Sequence, residues 1–235
     1  MSIPKISVVI CVKDRSNLLR QALQSLVRQT FTDFECIIVN DYSNEDIEIV
    51  VKEFNDERFI VVKNPGKPGI SSARNFGNKL ARAKWIAVAD SDDINLPIRL
   101  QRTVEAIETA NDIDVIYTGG YSFKDGTYDF ASLRLVQEYN RDSLYCSNYI
   151  LHNSVAYTKE IILKHAYDED LMYAEDYDLW LNLSDNHVKF HFINEALILY
   201  RLHENQTTLK KEKRYIQDQI VASIIRKHAP FRYDM

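Results

Sequence analysis

The chain has 235 residues, 46% of them hydrophobic and 27% charged, so it can bury a sizeable core and is not expected to be disordered. Its formal net charge of −5 argues against a general nucleic-acid-binding protein, because such domains are usually basic. The charge is uneven: residues 201–235 carry 8 Lys+Arg against 4 Asp+Glu and form a basic tail on an acidic body.

The cysteines and the apolar runs indicate a reducing, cytoplasmic environment. Cys11, Cys36 and Cys146 are widely spaced and form no CxxC pattern or Cys/His cluster. No run approaches the roughly 18 apolar residues of a membrane-spanning helix, and the first residues lack the apolar core of a signal peptide. We therefore expect a soluble protein that is at most peripheral on a membrane.

Strand and helix patterns alternate over the first half of the chain. Apolar, β-branched runs predict four strands, at residues 6–12, 34–40, 59–62 and 85–89. Helical spacing predicts helices at residues 16–27, with Ser16 or Asn17 as N-cap, at 47–54, and at 71–83 with Leu80 facing inward. Such repeats predict a mostly parallel sheet covered by helices, in which ligands bind beyond the carboxyl ends of the strands.

The second half is less regular, but no linker or repeat separates it from the first, so we expect one domain. Predicted helices lie at residues 97–110, 159–165 and 175–184, and predicted strands at 115–117, 189–193 and 196–202, with a hairpin turn at 124–127. Ile216, Ile220 and Ile224 repeat at helical spacing in the basic tail. By default this amphipathic helix packs on the body; dimerisation and contact with an anionic membrane are the alternatives.

Acidic residues directly follow two of the predicted strands. Asp41 comes after the second strand, and Asp90-Ser91-Asp92-Asp93 after the fourth. Clustered carboxylates are costly unless a cation joins them, and Mg²⁺ and Mn²⁺ favour carboxylates while keeping substrate phosphates in their shell. The alternative is that these side chains cap a helix or a turn.

Four segments resemble family-2 glycosyltransferases with the GT-A fold. In order, they are Ile6–Val12, Asn40-Asp41-Tyr42-Ser43, Gly69-Ile70-Ser71-Ser72-Ala73-Arg74-Asn75 and Asp90-Ser91-Asp92-Asp93. The resemblance is dense over residues 3–105 and returns in isolated motifs as far as about residue 206. It implies one GT-A domain over residues 1–235: a Rossmann-like α/β half that binds a nucleotide diphosphate sugar (1–110), a smaller acceptor-binding half (111–207) and the C-terminal helix (208–235).

The resemblance implies a donor site formed by Val12, Asp14, Asp41, Arg74, Asp90 and Ser91. Asp41 would contact the base, usually uracil, whose imide N–H a carboxylate can accept, and Asp90 would reach the ribose. The Arg74 guanidinium would lie beside the nucleotide, the alternative being an exposed helix arginine. Asp92 would coordinate Mn²⁺ or Mg²⁺ on the diphosphate.

The chain departs from the family after the first strand. Where the family commonly has Pro-Thr-Tyr-Asn, this chain has Cys11-Val12-Lys13-Asp14-Arg15. Lys13 therefore replaces a tyrosine that often packs against the base. Asp14 replaces the asparagine and either turns the chain or bonds the nucleotide, while backbone contacts at Val12 can persist.

A second acidic motif, Tyr173-Ala174-Glu175-Asp176-Tyr177-Asp178-Leu179-Trp180, lies in the acceptor half. Asp176 and Trp180 share a helix face, and acidic residues suit a first helical turn, so a purely structural role is available. The family has a similar acidic pair before Leu-Trp, which implies that Asp176 is the catalytic base and that Glu175 and Trp180 bind the acceptor. His203, in a Tyr-Arg-x-His segment that relatives often carry, would complete the metal shell; the alternative is a structural histidine.

The resemblance implies metal-dependent, inverting transfer of a sugar, most simply from a UDP-sugar, to a glycan or lipid-linked glycan in surface polysaccharide biosynthesis. Three other classes fit less well. A sugar nucleotidyltransferase would have a Gly-rich loop after the first strand, but no glycine precedes Gly66. A Rossmann dehydrogenase would have GxGxxG there. A non-catalytic nucleotide-sugar binding module would not need Asp90, Asp92, Asp176 and His203 together.

Overall fold

The computed structural model describes residues 2–127, 130–134, 137–203 and 214–229. Its strands are β1 (Ile6–Val12), β2 (Phe34–Asn40), β3 (Phe59–Lys63), β4 (Trp85–Asp90), β5 (Ile94–Asn95), β6 (Val115–Lys124), β7 (Phe130–Arg134), β8 (Ala156–Thr158) and β9 (Phe190–Leu202). Its α-helices are α1 (Ser16–Val27), α2 (Ile47–Lys52), α3 (Ile70–Leu80), α4 (Arg99–Thr109), α5 (Arg141–Cys146), α6 (Lys159–Lys164), α7 (Glu175–Asp185) and α8 (Arg214–His228). A 3₁₀ turn, His152–Ser154, precedes β8.

The strands form a 9-stranded sheet in the order β3-β2-β1-β4-β8-β6-β9-β5, with β7 paired to β6. The first four strands are parallel, as their βα connections predict. All residues of β1 are buried, because helices cover both faces of this part of the sheet. The register places Val12 beside Asn40, and Cys11 beside Asp90, so the motifs after β1, β2 and β4 meet at one edge.

The second half extends the sheet with both orientations. β8 pairs antiparallel with β4 and β6, whereas β9 runs parallel to β6. The two strands predicted at 189–193 and 196–202 are one strand, β9, whose register shifts opposite Thr118, Gly119 and Gly120. Gly120 is required there, because a Cβ on it would lie 2.8 Å from the Ile198 carbonyl oxygen. β9 brings the chain back to the edge where β4 ends.

Apolar cores lie on the two faces of the sheet. One contains alternate strand residues such as Val9, Val39 and Val88, and the other contains their neighbours Ile10 and Ile38. α8 packs on the first core through buried Ile224, with Ile220, Val221 and Ile225 partly buried. Packing on the body is therefore the arrangement found for the part of the C-terminal helix that the structure describes. Among the described residues, no helix combines the length and hydrophobicity needed to cross a membrane.

Two local predictions were wrong. The N-cap of α1 is Arg15, in a left-handed conformation, and not Ser16 or Asn17, because the chain turns sharply one residue earlier. Leu80 is 40% exposed, because α3 ends at this residue and the turn of the chain buries Ala81 instead. The predicted hairpin is present between β6 and β7, although residues 128 and 129 lie outside the described part.

Candidate active site

The acidic loop after β4 brings three carboxylates together. Oxygens of Asp90, Asp92 and Asp93 lie within 4.8 Å of one another. Asp93 is buried, accepts a 2.7 Å hydrogen bond from the Arg201 backbone N–H, and also accepts one from the Asn153 amide. Its burial, together with the negative charge of Asp92 and Asp90, raises its pKa well above the ordinary value. Asp93 thus supports the loop from inside, while Asp90 and Asp92 stay partly exposed.

Asp92 meets two groups that come from distant parts of the chain. Its Oδ2 lies 3.1 Å from His203 Nε2, across 111 positions of sequence. The same oxygen accepts a 2.7 Å hydrogen bond from Arg15 Nη1. The two residues predicted as metal ligands therefore lie together, and Arg15 is a third member of the cluster that sequence reasoning missed.

Arg74 connects the acidic loop to α7. Its Nη1 lies 2.5 Å from Glu175 Oε1, and its Nη2 lies 3.6 Å from Asp90 Oδ1. Burial opposes the charge of Arg74, but these two carboxylates outweigh it and raise the pKa of Arg74. The guanidinium is thus buried among protein carboxylates, which differs from the exposed helix arginine that was the alternative for this position.

Asp90 is held in its charged form. Burial disfavours the carboxylate, but His152 and Arg74 overcome that effect and lower the pKa of Asp90 to about 2. His152 Nδ1 lies 3.7 Å from Asp90 Oδ1, and its Nε2 bonds the Tyr167 hydroxyl at 2.8 Å. His152 is therefore part of the site, although no sequence pattern marks it.

Asp176 lies in the first turn of α7. Its Oδ2 accepts a 3.2 Å hydrogen bond from the Asn148 side chain, and its Oδ1 accepts a 2.8 Å bond from the Tyr177 N–H. Burial and the adjacent Glu175 raise the pKa of Asp176, even though His152 and Arg74 act in the opposite direction. A carboxylate with a raised pKa is a better proton acceptor than an ordinary surface aspartate.

Asp41 organises the loop that leads into α3. It is buried and accepts hydrogen bonds from the Asn64 side chain at 2.8 Å and from the Gly69 N–H at 3.0 Å. Gly69 has a φ of 148°, which residues with a Cβ rarely adopt. A cleft of about 480 Å³ lies at this edge, lined by Asn40, Tyr42, Ser43, Asn44, Glu45, Asp46, Ile47, Glu48, Lys63 and Asn64.

The other predicted donor residues have mainly structural contacts. The Asp14 carboxylate accepts a 2.7 Å hydrogen bond from the Asn44 N–H, so it turns and fixes the chain, the first of its two predicted roles. The Val12 carbonyl accepts a 2.8 Å bond from the Asp41 N–H. Ser91 is buried in the acidic loop, and Lys13 is exposed at the same edge.

Trp180 does not line the site. Its side chain is 0% exposed, and its ring centroid lies 6.0 Å from that of His152. The predicted contact with an acceptor is therefore wrong for this structure, because a fully buried ring packs beneath the site. Helical spacing correctly placed Trp180 on the same side of α7 as Asp176. Trp180 lies one turn further along the helix, however, and there this side of α7 packs against the core.

Three other residues at the site were missed by sequence reasoning. Arg201 Nε bonds the Asp92 carbonyl at 2.7 Å, and its Nη1 bonds Asp125 at 2.6 Å, so this buried arginine holds the acidic loop to β9 and to the hairpin. It belongs to the segment that contains His203, which was an available signal. His152 and Asn153 lie in the short 3₁₀ turn, where no periodic pattern points to them.

This sheet has the GT-A fold, and comparisons with known proteins identify the family. The sequence profile described as glycosyl transferase family 2 matches residues 7–167. The chain is 32% identical over 232 residues to the uncharacterized glycosyltransferase MJ1057 of Methanocaldococcus jannaschii, covering 92% of this chain and 78% of that protein. The chain therefore belongs to glycosyl transferase family 2 and is a glycosyltransferase.

A further relative is also a glycosyltransferase, and two solved structures have a similar fold. The Escherichia coli UDP-Glc:alpha-D-GlcNAc-diphosphoundecaprenol beta-1,3-glucosyltransferase WfaP is 26% identical over 230 residues, covering 93% of this chain and 86% of that protein. Staphylococcus aureus TarS 1–349 in complex with UDP-GlcNAc has a TM-score of 0.74 at 20% identity, covering 95% of this chain and 67% of that one. Mycobacterium tuberculosis glucosyl-3-phosphoglycerate synthase, in complex with Mn²⁺, UDP and phosphoglyceric acid, has a TM-score of 0.69 at 17% identity. The match covers 98% of this chain and 80% of that one. The family and fold predicted from the four segments are thus confirmed.

Proposed function

We propose that the protein transfers a sugar, with inversion, from a UDP-sugar to a hydroxyl of a glycan or lipid-linked glycan, assisted by Mn²⁺ or Mg²⁺. The observation that carries this proposal is the contact of Arg74 with both Asp90 and Glu175. This contact holds the first turn of α7 beside the acidic loop after β4. Asp176 lies in that first turn. A proton acceptor and a cluster of potential metal ligands then face the same edge of the sheet.

The residues at Asp92 suit a divalent cation. A carboxylate oxygen and an imidazole nitrogen, 3.1 Å apart, are ligand types that Mn²⁺ accepts, and partly exposed Asp90 lies in the same loop. We assign the cation to Asp92 and His203. When bound, it would offset the negative charge that develops on the departing nucleoside diphosphate.

The donor would lie across the edge formed by β1, β2 and β4. Asp41 uses part of its acceptor capacity on Asn64 and Gly69, and a carboxylate has about four lone-pair sites, so it can still accept a base N–H. The complexes of TarS with UDP-GlcNAc and of the mycobacterial synthase with UDP support uracil as the base. Ser91 and the backbone at Val12 complete the proposed donor site.

Asp176 would act as the general base. As the acceptor hydroxyl oxygen attacks the anomeric carbon, Asp176 takes the hydroxyl proton, and the bond from that carbon to the diphosphate oxygen breaks. Attack from the face opposite the diphosphate inverts the anomeric configuration. The raised pKa of Asp176 favours this proton transfer, and Glu175 on the same turn would help to orient the acceptor.

The acceptor class is proposed from a relative. WfaP is named for a reaction on a sugar linked to diphosphoundecaprenol, which supports a lipid-linked glycan as the acceptor. We propose that such an acceptor is used in surface polysaccharide synthesis, on the cytoplasmic side of the membrane. Peripheral contact with the membrane, or dimerisation, would use α8. Its exposed Tyr215 and Ile216 lie near the first turn, beside Arg214.

The proposed function is tested by a donor screen. Purified protein is incubated with UDP-sugars and dTDP-sugars in Mn²⁺, Mg²⁺ or EDTA, and release of the nucleoside diphosphate is measured. We expect metal-dependent release from a UDP-sugar, and its loss in Asp92→Asn but not in the surface control Asp170→Asn. Undiminished release in EDTA would refute the metal role, and release from no UDP-sugar would refute the donor assignment.

A further inference from the structure

Arg15 lies at an unusual turn between β1 and α1. Both Asp14 and Arg15 have left-handed backbones, with φ of 57° and 66°, a conformation that is uncommon for residues other than glycine. The turn is fixed from outside, because the Asp14 N–H bonds Ser43 Oγ at 2.8 Å and the Ser16 N–H bonds Glu45 Oε2 at 2.6 Å. Strained backbone held in this way is often found at functional sites.

The turn directs Arg15 to the carboxylate that we assign to the metal. Arg15 Nη1 lies 2.7 Å from Asp92 Oδ2, the oxygen that also contacts His203. The Arg15 side chain is 32% exposed and that of Asp92 is 14% exposed, so the pair lies at the mouth of the site. The cationic guanidinium therefore occupies the oxygen that a divalent cation would need.

We propose that Arg15 neutralises Asp92 before the metal binds, and that it moves to the diphosphate of the donor when metal and donor bind. This inference rests on the proposed function. A guanidinium and a divalent cation repel each other on one carboxylate, so they compete for Asp92. The displaced guanidinium finds a suitable partner in the diphosphate, because its planar N–H groups match phosphate oxygens in pairs. A long, partly exposed side chain can make this exchange without movement of the backbone.

Movement of Arg15 from Asp92 to the diphosphate should affect metal affinity and nucleotide affinity in opposite directions. Without a nucleotide, Arg15 weakens metal binding, because the metal must displace it from Asp92. With metal present, Arg15 strengthens nucleotide binding, because it has become a phosphate ligand. By linkage, part of the coupling between metal and nucleotide then depends on Arg15. A residue that only stabilised the fold would change both affinities in the same direction.

The experiment measures both affinities in Arg15→Gln. Binding of Mn²⁺ alone is followed by loss of the electron paramagnetic resonance signal of free Mn²⁺. Binding of UDP, dTDP and GDP in saturating Mn²⁺ is followed by calorimetry, and the diphosphate that wild type binds is used for the comparison. Arg20→Gln is the matched control, because Arg20 lies on α1, the helix that Arg15 precedes, but pairs with Glu53 at 2.7 Å.

We expect Arg15→Gln to bind Mn²⁺ alone about three- to tenfold more tightly, and the nucleoside diphosphate with Mn²⁺ about tenfold more weakly. Arg20→Gln should change neither. If Arg15→Gln leaves the affinity for Mn²⁺ alone unchanged or weakens it, the inference is wrong, while the proposed function stands. If wild type and variant both fail to bind Mn²⁺ and every diphosphate, the proposed function fails as well.

Discussion

Arg74 Nη1 lies 2.5 Å from Glu175 Oε1, so an ion pair joins α3 to α7 across 101 positions of sequence. Arg74 also reaches Asp90, at 3.6 Å, and its guanidinium lies over the Tyr167 ring at 5.4 Å. Arg74, which the family resemblance predicts to lie beside the nucleotide, therefore connects the two halves of the proposed site. Its charge balances acidic groups that would otherwise repel one another.

The first prediction concerns this ion pair. Arg74→Met should lower the free energy of unfolding by about 1–3 kcal/mol, because it leaves the partly exposed carboxylates of Asp90 and Glu175 without their buried partner. Arg74→Met/Glu175→Gln should recover part of the loss, since one of those charges is then removed. Urea unfolding measures both. The control is Arg102→Met, an exposed arginine on α4, which should have little effect. Full additivity of the two substitutions would contradict the coupling.

The second prediction concerns Asp176. Asp176→Asn should lower kcat for sugar transfer by about 10²- to 10⁴-fold, because the amide cannot accept the acceptor proton. Affinity for UDP and Mn²⁺ should stay within about twofold, since Asp176 contacts only Asn148 and its own helix in the hydrogen bonds described. Transfer kinetics and calorimetry measure the two effects. Asp170→Asn, an exposed carboxylate on the preceding loop, serves as the control. Transfer at the wild-type rate by Asp176→Asn would exclude its role as base.

The third prediction is the pH profile of kcat/KM. Burial and Glu175 raise the pKa of Asp176, so the acid limb of activity should lie above the ordinary aspartate pKa of 3.8. Activity falls as the pH falls through that pKa, because the base becomes protonated. Glu175→Gln removes the like charge and should move the acid limb to lower pH. An unchanged acid limb in Glu175→Gln would show that another group controls it.

The site was predictable where its signals are local. Strands β2 and β4 are apolar runs that end in Asn40 and Asp90, and parallel strands bring such ends together. The meeting of Asp92 and His203 was different: no spacing rule connects residues 111 positions apart, and only the family resemblance paired them. His152 depends on packing of a 3₁₀ turn that has no periodicity.

The bulge in β9 and the turn at Arg15 could not be predicted from local sequence patterns. The exposed Asn194-Glu195 pair resembles a turn, but β9 continues through it, because the register shift opposite Gly119 leaves room for a bulge. Arg15 could not be assigned from sequence, since its contact depends on two left-handed residues in succession, a conformation that few local sequences specify. Long-range contacts and strained turns therefore required the structure.

The fourth prediction concerns the docking of α8. His228 is 7% exposed in its side chain; its Nδ1 lies 2.7 Å from Asp185 and its Nε2 3.1 Å from Asp178, which also bonds Lys227 at 2.8 Å. Tyr145, with Arg141 beside it, faces the same group from α5. Burial lowers the pKa of His228, but the two carboxylates outweigh it and raise the value above 6.5.

Because the pKa of His228 is raised in the folded protein, protonated His228 stabilises the fold. A raised folded-state pKa gives stability that is fully present below the unfolded-state pKa and is lost as the pH rises through the folded-state pKa. His228→Gln should therefore lower the Tm at pH 6 and have a smaller effect at pH 9. Thermal unfolding between these pH values measures it, with His191→Gln on β9 as control. An equal loss at both pH values would mean that packing, and not charge, docks α8.

The last prediction tests the close packing of α3 beneath Arg74. A Cβ on Gly77 would lie 2.6 Å from Val9 Cγ1 and 3.0 Å from Val39 Cγ2. Helix propensity alone would make Gly77→Ala stabilising by about 1 kcal/mol. Overpacking costs about 1–3 kcal/mol, and both valines belong to central strands with no space to move, so we expect a net loss.

Urea unfolding of Gly77→Ala shows whether the free energy of unfolding rises or falls. Lys79→Ala, an exposed position in the same helix, is the control. Val9→Ala removes the closer of the two contacts, so the double substitution should cost less than the sum of the two single ones. Because Gly77 lies one helical turn after Arg74, displacement of α3 should also weaken the contact with Glu175. Gly77→Ala should then lower kcat for transfer at a temperature where the protein is fully folded, whereas Lys79→Ala should not. A more stable Gly77→Ala protein would show that the sheet can yield to α3, and that the position of Arg74 does not depend on this contact.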